Sequence, residues 1–205
     1  MDVNYWEHRK PAQRTRTITE QDIARAAAAL LDAGGLRALT VRAVAKELDV
    51  AAPSLYSRIE SVDDLFDLAL DETLGTDPGV TAALQDASMQ SLMLAYYHHL
   101  ARHRWACQVI GMRAPRGPNY LRLSERMCVL LDDAGVADPL GSAYALSNFV
   151  IGSANASPMV DNERTATVDP GIAPTYSRLH SEHSVNAEAI VVAGLAALSA
   201  QAAEL

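Results

Sequence analysis

Two cysteines in 205 residues, and no apolar run long enough to cross a bilayer, set the first limits on this chain. Cys107 and Cys128 stand alone in apolar surroundings, the setting of reduced, buried thiols rather than of a disulfide or a metal site. A nucleophilic cysteine needs an activating partner and access to solvent, and nothing around either position supplies them. The longest apolar segment, from Ala189 to Leu198 and slightly beyond, is well short of the roughly 18–20 residues that span a membrane. The opening MDVNYWEHRKPAQ lacks the apolar stretch of a secretory leader, so a cytoplasmic location without membrane contact is expected. Strand patterns, internal repeats and a glycine-rich phosphate loop are missing as well.

Positive charge is short overall and unevenly placed. A formal net charge of −8 argues against a generic nucleic-acid coat, yet residues 1–60 hold nine of the 17 Lys+Arg against eight of the 25 Asp+Glu. The first sixty residues therefore carry +1 and the remainder −9. Arg9, Lys10, Arg14 and Arg16 form a basic arm within residues 1–17, suited to a phosphate backbone or a minor groove. A solvated tail is the plain alternative. Hydrophobic residues make up 49%, ample for one large or two small packed domains.

What is present is helical patterning, densest from Leu39 to Leu65. Thr40 is placed as an N-cap, and Val41, Val44, Ala45 and Leu48 follow at i, i+3, i+4 and i+7, a face that must be buried. Asp49-Val50-Ala51 leaves room only for a turn. Pro53 suits the first position of a second helix and holds Ala52 out of the α region, so that helix is expected from Pro53 to Ile59. Leu55 and Ile59 then point inward, leaving Ser54, Tyr56, Ser57 and Arg58 in solvent near a helix N-terminus. Such side chains reach phosphates and base edges. Upstream, Thr19 and Asp22 read as a capping box opening a helix that buries Ile23, Ala27, Leu30 and Leu31 and ends at Gly34-Gly35. Downstream, Ser61 caps a helix whose core face is Val62, Leu65, Phe66 and Ala69.

The run Leu74 to Gly79 is the clearest break in composition and the expected domain boundary. Beyond it the periodicity predicts a long helix from Thr81 to about His103 and a short one from Trp105 to Met112. The irregular RAPRGPN follows, then a helix from Tyr120 to Ala134 and one from Asp138-Pro139 to Ser157, before Pro158. Residues 159–184 read as a polar loop with a short helix near Tyr176, and an alanine-rich helix starts near Asn186. The fold class is all-α.

The stretch GLRALTVRAVAKELDV, followed by PSLY and a new helix, resembles the helix-turn-helix of the tetracycline-repressor (TetR-like) family. The resemblance covers about 45 residues and implies a three-helix DNA-binding domain over 18–74 whose second motif helix lies in a major groove. It places Thr40, Arg42, Ala52, Pro53, Ser54, Tyr56, Ser57 and Arg58 at double-stranded DNA, with Arg14 and Arg16 behind them. Arg42 would read guanine, and Tyr56 a phosphate or a thymine methyl; Ala52 and Pro53 would meet methyl groups. The plain alternatives are an Arg42 paired with Glu47 or Asp49, and a packing Tyr56. Two positions depart from the family: Asp49 stands where a turn glycine is usual, and Val62 where a lysine holds a phosphate.

The segments IGMRAPRGPNYLRL and AYALSNFVIG resemble the C-terminal domain of the tetracycline-repressor branch, which implies a helical ligand-binding and dimerising domain over 80–205. Candidate pocket walls are Leu92, Tyr96, Trp105, Met112, Arg113, Asn119, Leu123, Met127 and Asn148, with Arg113 or Asn119 orienting the ligand and Ala114 to Pro118 gating it. All of these are equally ordinary core residues. Val109 stands where that branch has a metal-coordinating histidine before the glycine matching Gly111, so a metal-independent apolar or aromatic effector is expected, and no cofactor. The last helix offers Ile190, Val191, Gly194, Leu195, Ala197 and Leu198 to a homodimer, or else buries them in its own subunit.

An enzyme reading has little to stand on. His99 and His103 have a metal-ligand spacing, but a zinc hydrolase of the HExxH type needs Glu at position 100, where Leu100 stands, and no third ligand is near. The expectation is a ligand-responsive regulator, a repressor released from a palindromic operator. The competing one is a small-molecule-binding or metal-dependent protein of the same fold without DNA function.

Overall fold

The computed structural model describes residues 4–9, 18–86, 88–163, 166–184 and 186–202. Twelve α-helices and no strand occur among them. In chain order these are α1 Tyr5–His8, α2 Glu20–Gly34, α3 Val41–Glu47, α4 Ala52–Leu55, α5 Val62–Thr76 and α6 Pro78–Asp86. They continue as α7 Met89–Arg102, α8 Arg104–Met112, α9 Pro118–Asp133, α10 Pro139–Glu163, α11 Pro174–Glu182 and α12 Ala187–Ala202.

Local chemistry fixes the helix starts. The Thr19 hydroxyl accepts the Asp22 N–H at 3.1 Å while the Asp22 carboxylate accepts the Thr19 N–H at 2.9 Å, the reciprocal capping box that opens α2. Thr40 accepts the Ala43 N–H ahead of α3, and Ser61 the Asp63 N–H ahead of α5. Asp49, in the turn between α3 and α4, has φ 53, the left-handed conformation that glycine usually supplies.

Helix α5 is the axis of the molecule. On one side it packs along α2, and on the other it meets α6, α8 and α9. Its core face is Leu65, Phe66, Leu68, Ala69, Leu70 and Leu74, but it also buries Asp64, Asp67 and Asp71. Helix α7 is the centre of the second half, contacting α6, α8, α9, α10 and α12 and burying Leu92, Met93, Tyr96, Tyr97 and Leu100.

Four expectations need correction. The break at Leu74–Gly79 is no linker: α5 runs to Thr76, and Asp77 alone separates it from α6 while its carboxylate accepts the N–H groups of Gly79 and Val80. The single helix from Thr81 to His103 is two, because Ser88 caps a fresh start by accepting the Ser91 N–H. The second motif helix is one turn, starts at Ala52 and gives way to a turn at Tyr56, well before Ile59. Helix α10 does not stop at Ser157. Pro158 has no N–H for the Ala154 carbonyl, but the Ser157 hydroxyl donates to that oxygen at 2.9 Å, so the helix continues to Glu163 with the acceptor satisfied.

Candidate functional site

The tip of the first half is built by α3, the Asp49 turn and α4. Thr40, Arg42, Pro53, Ser54 and Ser57 are exposed, Tyr56 is 51% exposed and Ala52 is half-buried. Among the described residues Arg42 makes no ion pair with Glu47 or Asp49. The Thr40 hydroxyl is already engaged as a cap, and Ser57 donates to the Ser54 carbonyl at 2.8 Å. Arg58 is a correction: it is only 8% exposed, because the chain turns inward after Leu55 instead of continuing as helix, and it cannot serve as a surface reader. Arg14 and Arg16 lie outside the described residues, while Arg9 pairs with Glu20 at 2.9 Å.

In the second half a cavity of about 340 Å³ lies among α7, α8, α9 and α10, with Ala114, Pro115 and Arg116 at one edge. Tyr96, Leu123, Met127 and Asn148 border it, as does Tyr120, which the sequence reading missed. Tyr120 is 5% exposed, its hydroxyl has no hydrogen-bond partner, and its ring meets that of Tyr96 edge-on at 6.2 Å. Burial raises the pKa of both phenols, which stay protonated.

Five proposed walls are elsewhere. Leu92 is fully buried in the α7 core, Met112 is 58% exposed, and the Trp105 indole N–H donates to Asp32 of α2 at 2.7 Å. Arg113 donates to both oxygens of Asp67 at 3.0 and 3.1 Å and reaches Asp63 at 2.8 Å. Asn119 donates from its side chain and its backbone N–H to Asp71, at 2.9 and 2.8 Å, and the Tyr120 N–H reaches the same carboxylate at 3.1 Å. Arg113 and Asn119 are therefore locked to α5 rather than free to orient a ligand. A Cβ at Gly117 would strike the Asp71 carboxylate, and one at Gly75 the Asn119 amide, so glycine at both places permits this close docking.

The α5 carboxylates thus form a ladder. Asp64 takes the Glu60 N–H at 2.6 Å and meets His8 at 3.0 Å, and Asp67 also takes the Tyr5 N–H at 2.9 Å. Burial lifts the Asp67 and Asp71 pKa values above the usual carboxylate range despite these donors. Asp77 follows the opposite course: burial pushes it up, but the Val80 N–H, His99 at 3.1 Å and Arg102 at 2.8 Å outweigh that and hold it low. His99 is driven down to about 4, chiefly by its own burial. His99 and His103 are each occupied by a carboxylate, Asp77 and Asp32 respectively.

Residues 23–69 match the family model described as bacterial regulatory proteins, tetR family, and residues 85–197 that of the tetracyclin repressor-like C-terminal domain. The chain belongs to the tetR family. An HTH-type transcriptional regulator of Saccharopolyspora erythraea is 36% identical over 157 residues, 72% of this chain and 65% of that protein. The HTH-type transcriptional repressor DrrR1 of Streptomyces coeruleorubidus is 31% identical over 160 residues, 72% of this chain and 57% of that one. The match thus spans less than two thirds of either relative. The TetR family protein ActR of Streptomyces coelicolor, solved with (S)-DNPA, shares the fold with a TM-score of 0.71 at 23% identity, covering 92% of this chain and 98% of that one. The family consists of transcriptional regulators, not enzymes.

In this tetR-family chain, the missed cavity residues follow a readable rule. Tyr120, Leu123, Ser124 and Met127 recur at three and four residues along α9, and Leu140, Ala143, Tyr144, Ser147, Asn148 and Ile151 along α10. Two facing stripes of this period mark a shared wall, and only half of each was picked out. On α12, Val191 and Leu195 are buried in their own subunit, Leu198 packs against that core, and Gly194 sits against Phe149. Ile190 and Ala197 alone of the six proposed interface residues face outward, since a 3.6-residue period cannot present all six on one side.

Proposed function

We propose that this tetR-family regulator is a repressor that binds a palindromic operator as a homodimer in the cytoplasm and is released by a small, apolar or aromatic effector without a metal. Residues 18–74 read DNA, the arm of residues 1–17 supports them, and residues 80–205 bind the effector and dimerise. Exposed Arg42, Ser54 and Tyr56 meet base edges and phosphates, with half-sites about 34 Å apart. The outward face of α12, with Ile190, Ala193 and Ala197, pairs with that of α10, with Gly152, Ala156 and Met159, in a second copy.

The observation that carries the effector response is the grip on α5. The cavity edge of Ala114, Pro115 and Arg116 is held between Arg113, bonded to Asp67, and Asn119, bonded to Asp71. A ligand that displaces this edge pulls on the helix that also carries the reader. Shifting the spacing of two readers takes a differential affinity of only a few kcal/mol.

Selection of bound sites from random duplex DNA, followed by titration across salt, tests the reading. A palindromic site with steep salt dependence is expected, weakened about 1–3 kcal/mol by Arg42→Ala if Arg42 contacts a base, and also weakened by Tyr56→Ala. No specific site, or unchanged affinity in both variants, leaves the reading without support and favours a ligand-binding protein of the same fold. Ala197→Arg tests the dimer by sedimentation; Gly194→Arg does not, because it strikes Phe149 within the subunit.

A further inference from the structure

The polar groups that face the cavity are of one kind. The Tyr120 hydroxyl is buried there without a partner; it and the Tyr96 hydroxyl influence each other's ionisation, yet no hydrogen bond closes between them. Among the described residues no carboxylate borders the cavity, and Arg116 at its edge is the only charged side chain in the lining. Asp71, which the Tyr120 backbone binds, is taken up by the N–H groups of Asn119 and Tyr120.

We infer that the effector is an aromatic compound of two or three rings carrying a hydrogen-bond-accepting oxygen at its buried end, received by the Tyr120 hydroxyl, and that it is neutral or anionic but not cationic. The inference rests on the reading of this cavity as the effector site. A buried hydroxyl left unbonded is unfavourable, so a ligand that accepts its proton gains an interaction that an unsubstituted hydrocarbon does not. A cationic ligand would bury its charge where no carboxylate neutralises it and would approach past Arg116. An anionic one meets Arg116 at the mouth. The rings of Tyr96, Tyr120 and Tyr144 and the thioether of Met127 supply the flat, polarizable walls that suit aromatic ligands, and the volume is at the small end of drug-sized sites.

Calorimetric titration of the full chain with four probes of one shape tests this: naphthalene, 2-acetylnaphthalene, 2-naphthoate and 2-(aminomethyl)naphthalene. The ketone and the carboxylate are expected to bind at least about tenfold more tightly than the amine. Tyr120→Phe, which keeps the ring and the fold, should cost the ketone about five- to tenfold while leaving naphthalene unchanged, the size of one neutral hydrogen bond. Arg116→Gln should remove the advantage of 2-naphthoate over the ketone. The inference is overturned if the amine binds best, if Tyr120→Phe weakens naphthalene and ketone equally, or if none of the probes binds. The selection of DNA sites needs no effector, so a failure here leaves that result intact, and a failure there leaves probe binding measurable.

Discussion

At the reader tip, Arg42, Ser54 and Tyr56 end in solvent, whereas in the effector half Arg113, Asn119 and Trp105, the polar side chains proposed for the cavity, end on carboxylates of α5 and α2. Arg42 and Arg113 are the sharpest pair. Both stand in segments that resemble functional regions of the family, and by residue type alone they are equals. Among the described residues the fold gives one no ion pair and the other two carboxylates. A polar side chain whose hydrogen-bonding capacity is spent inside the subunit holds structure; one left unspent, whether exposed as Arg42 or buried as Tyr120, is where a ligand gains.

The largest way to break this contrast is to remove Arg113. Arg113→Ala leaves Asp67 buried with the Tyr5 N–H as its remaining described donor, and truncating one side of a buried pair typically costs about 3–5 kcal/mol. Urea unfolding should show a loss of that order, with Arg113→Met/Asp67→Leu recovering much of it. Arg42→Ala, by contrast, should alter stability by about 0.5 kcal/mol or less while weakening DNA binding. Equal losses from the two single variants would erase the distinction.

The Asp77–His99 joint sharpens it through pH. The folded-state pKa of His99 is about 4 against an ordinary 6.5, so the neutral ring is favoured by folding. The unfolded chain binds more protons between these values. The contribution of His99 is therefore fully present above pH 6.5 and lost as pH falls toward 4. Asp67 and Asp71 act in the opposite sense, because their raised values make stability fall as pH rises past the ordinary carboxylate range. A His99→Gln comparison isolates the histidine. Between pH 7 and pH 5 the stability of wild type relative to the variant should fall by about 2 kcal/mol. A pH-independent difference would show that His99 is not held neutral.

How much of this was legible depended on the range of the interaction. The caps at Thr19, Thr40 and Ser61 are contacts across two or three residues, and periodicity marked the buried faces of α2, α3 and α5 correctly. The family resemblance added the placement of Arg42 and Tyr56. What escaped were pairings across 46 to 73 residues: Arg113 with Asp67, Asn119 with Asp71, Trp105 with Asp32. Nothing local distinguishes such a side chain from a ligand-binding one. The aspartates at 64, 67 and 71 carried a hint, since their spacing of three and four puts them on one face of a helix whose other face is apolar. Carboxylates so aligned call for donors from elsewhere in the chain. Arg58 failed for a different reason: projecting a full helix to Ile59 placed it in solvent, but α4 is a single turn.

A smaller effect tests the reader's frame. Asp49 holds φ 53, a conformation that is unfavourable for residues with a Cβ by about 1–2 kcal/mol and less so for Asp. Asp49→Gly should leave the structure unchanged and raise stability by up to about 1 kcal/mol. Asp49→Val, β-branched, should lower it by roughly 1–2 kcal/mol. Stabilisation by valine would mean that the turn is not held in the left-handed form.

The smallest predicted change acts at the contact surface alone. Val62 opens α5 directly after the Ser61 cap and is half-buried, with Asp63 and Asp64 in the same first turn. Acidic residues suit that position because the helix N-terminus is partially positive, so a cation placed there should cost about 0.3–1 kcal/mol of stability. Val62→Lys should nevertheless tighten DNA binding: one added phosphate contact steepens the slope of log affinity against log salt by about one, equally for specific and non-specific duplexes. Stability and affinity then move in opposite directions from one substitution, as expected where a side chain is given to DNA instead of to the subunit. Mobility shifts at several salt concentrations, read beside urea melts of the same variant, decide it. An unchanged salt slope would place the start of α5 away from the backbone of bound DNA.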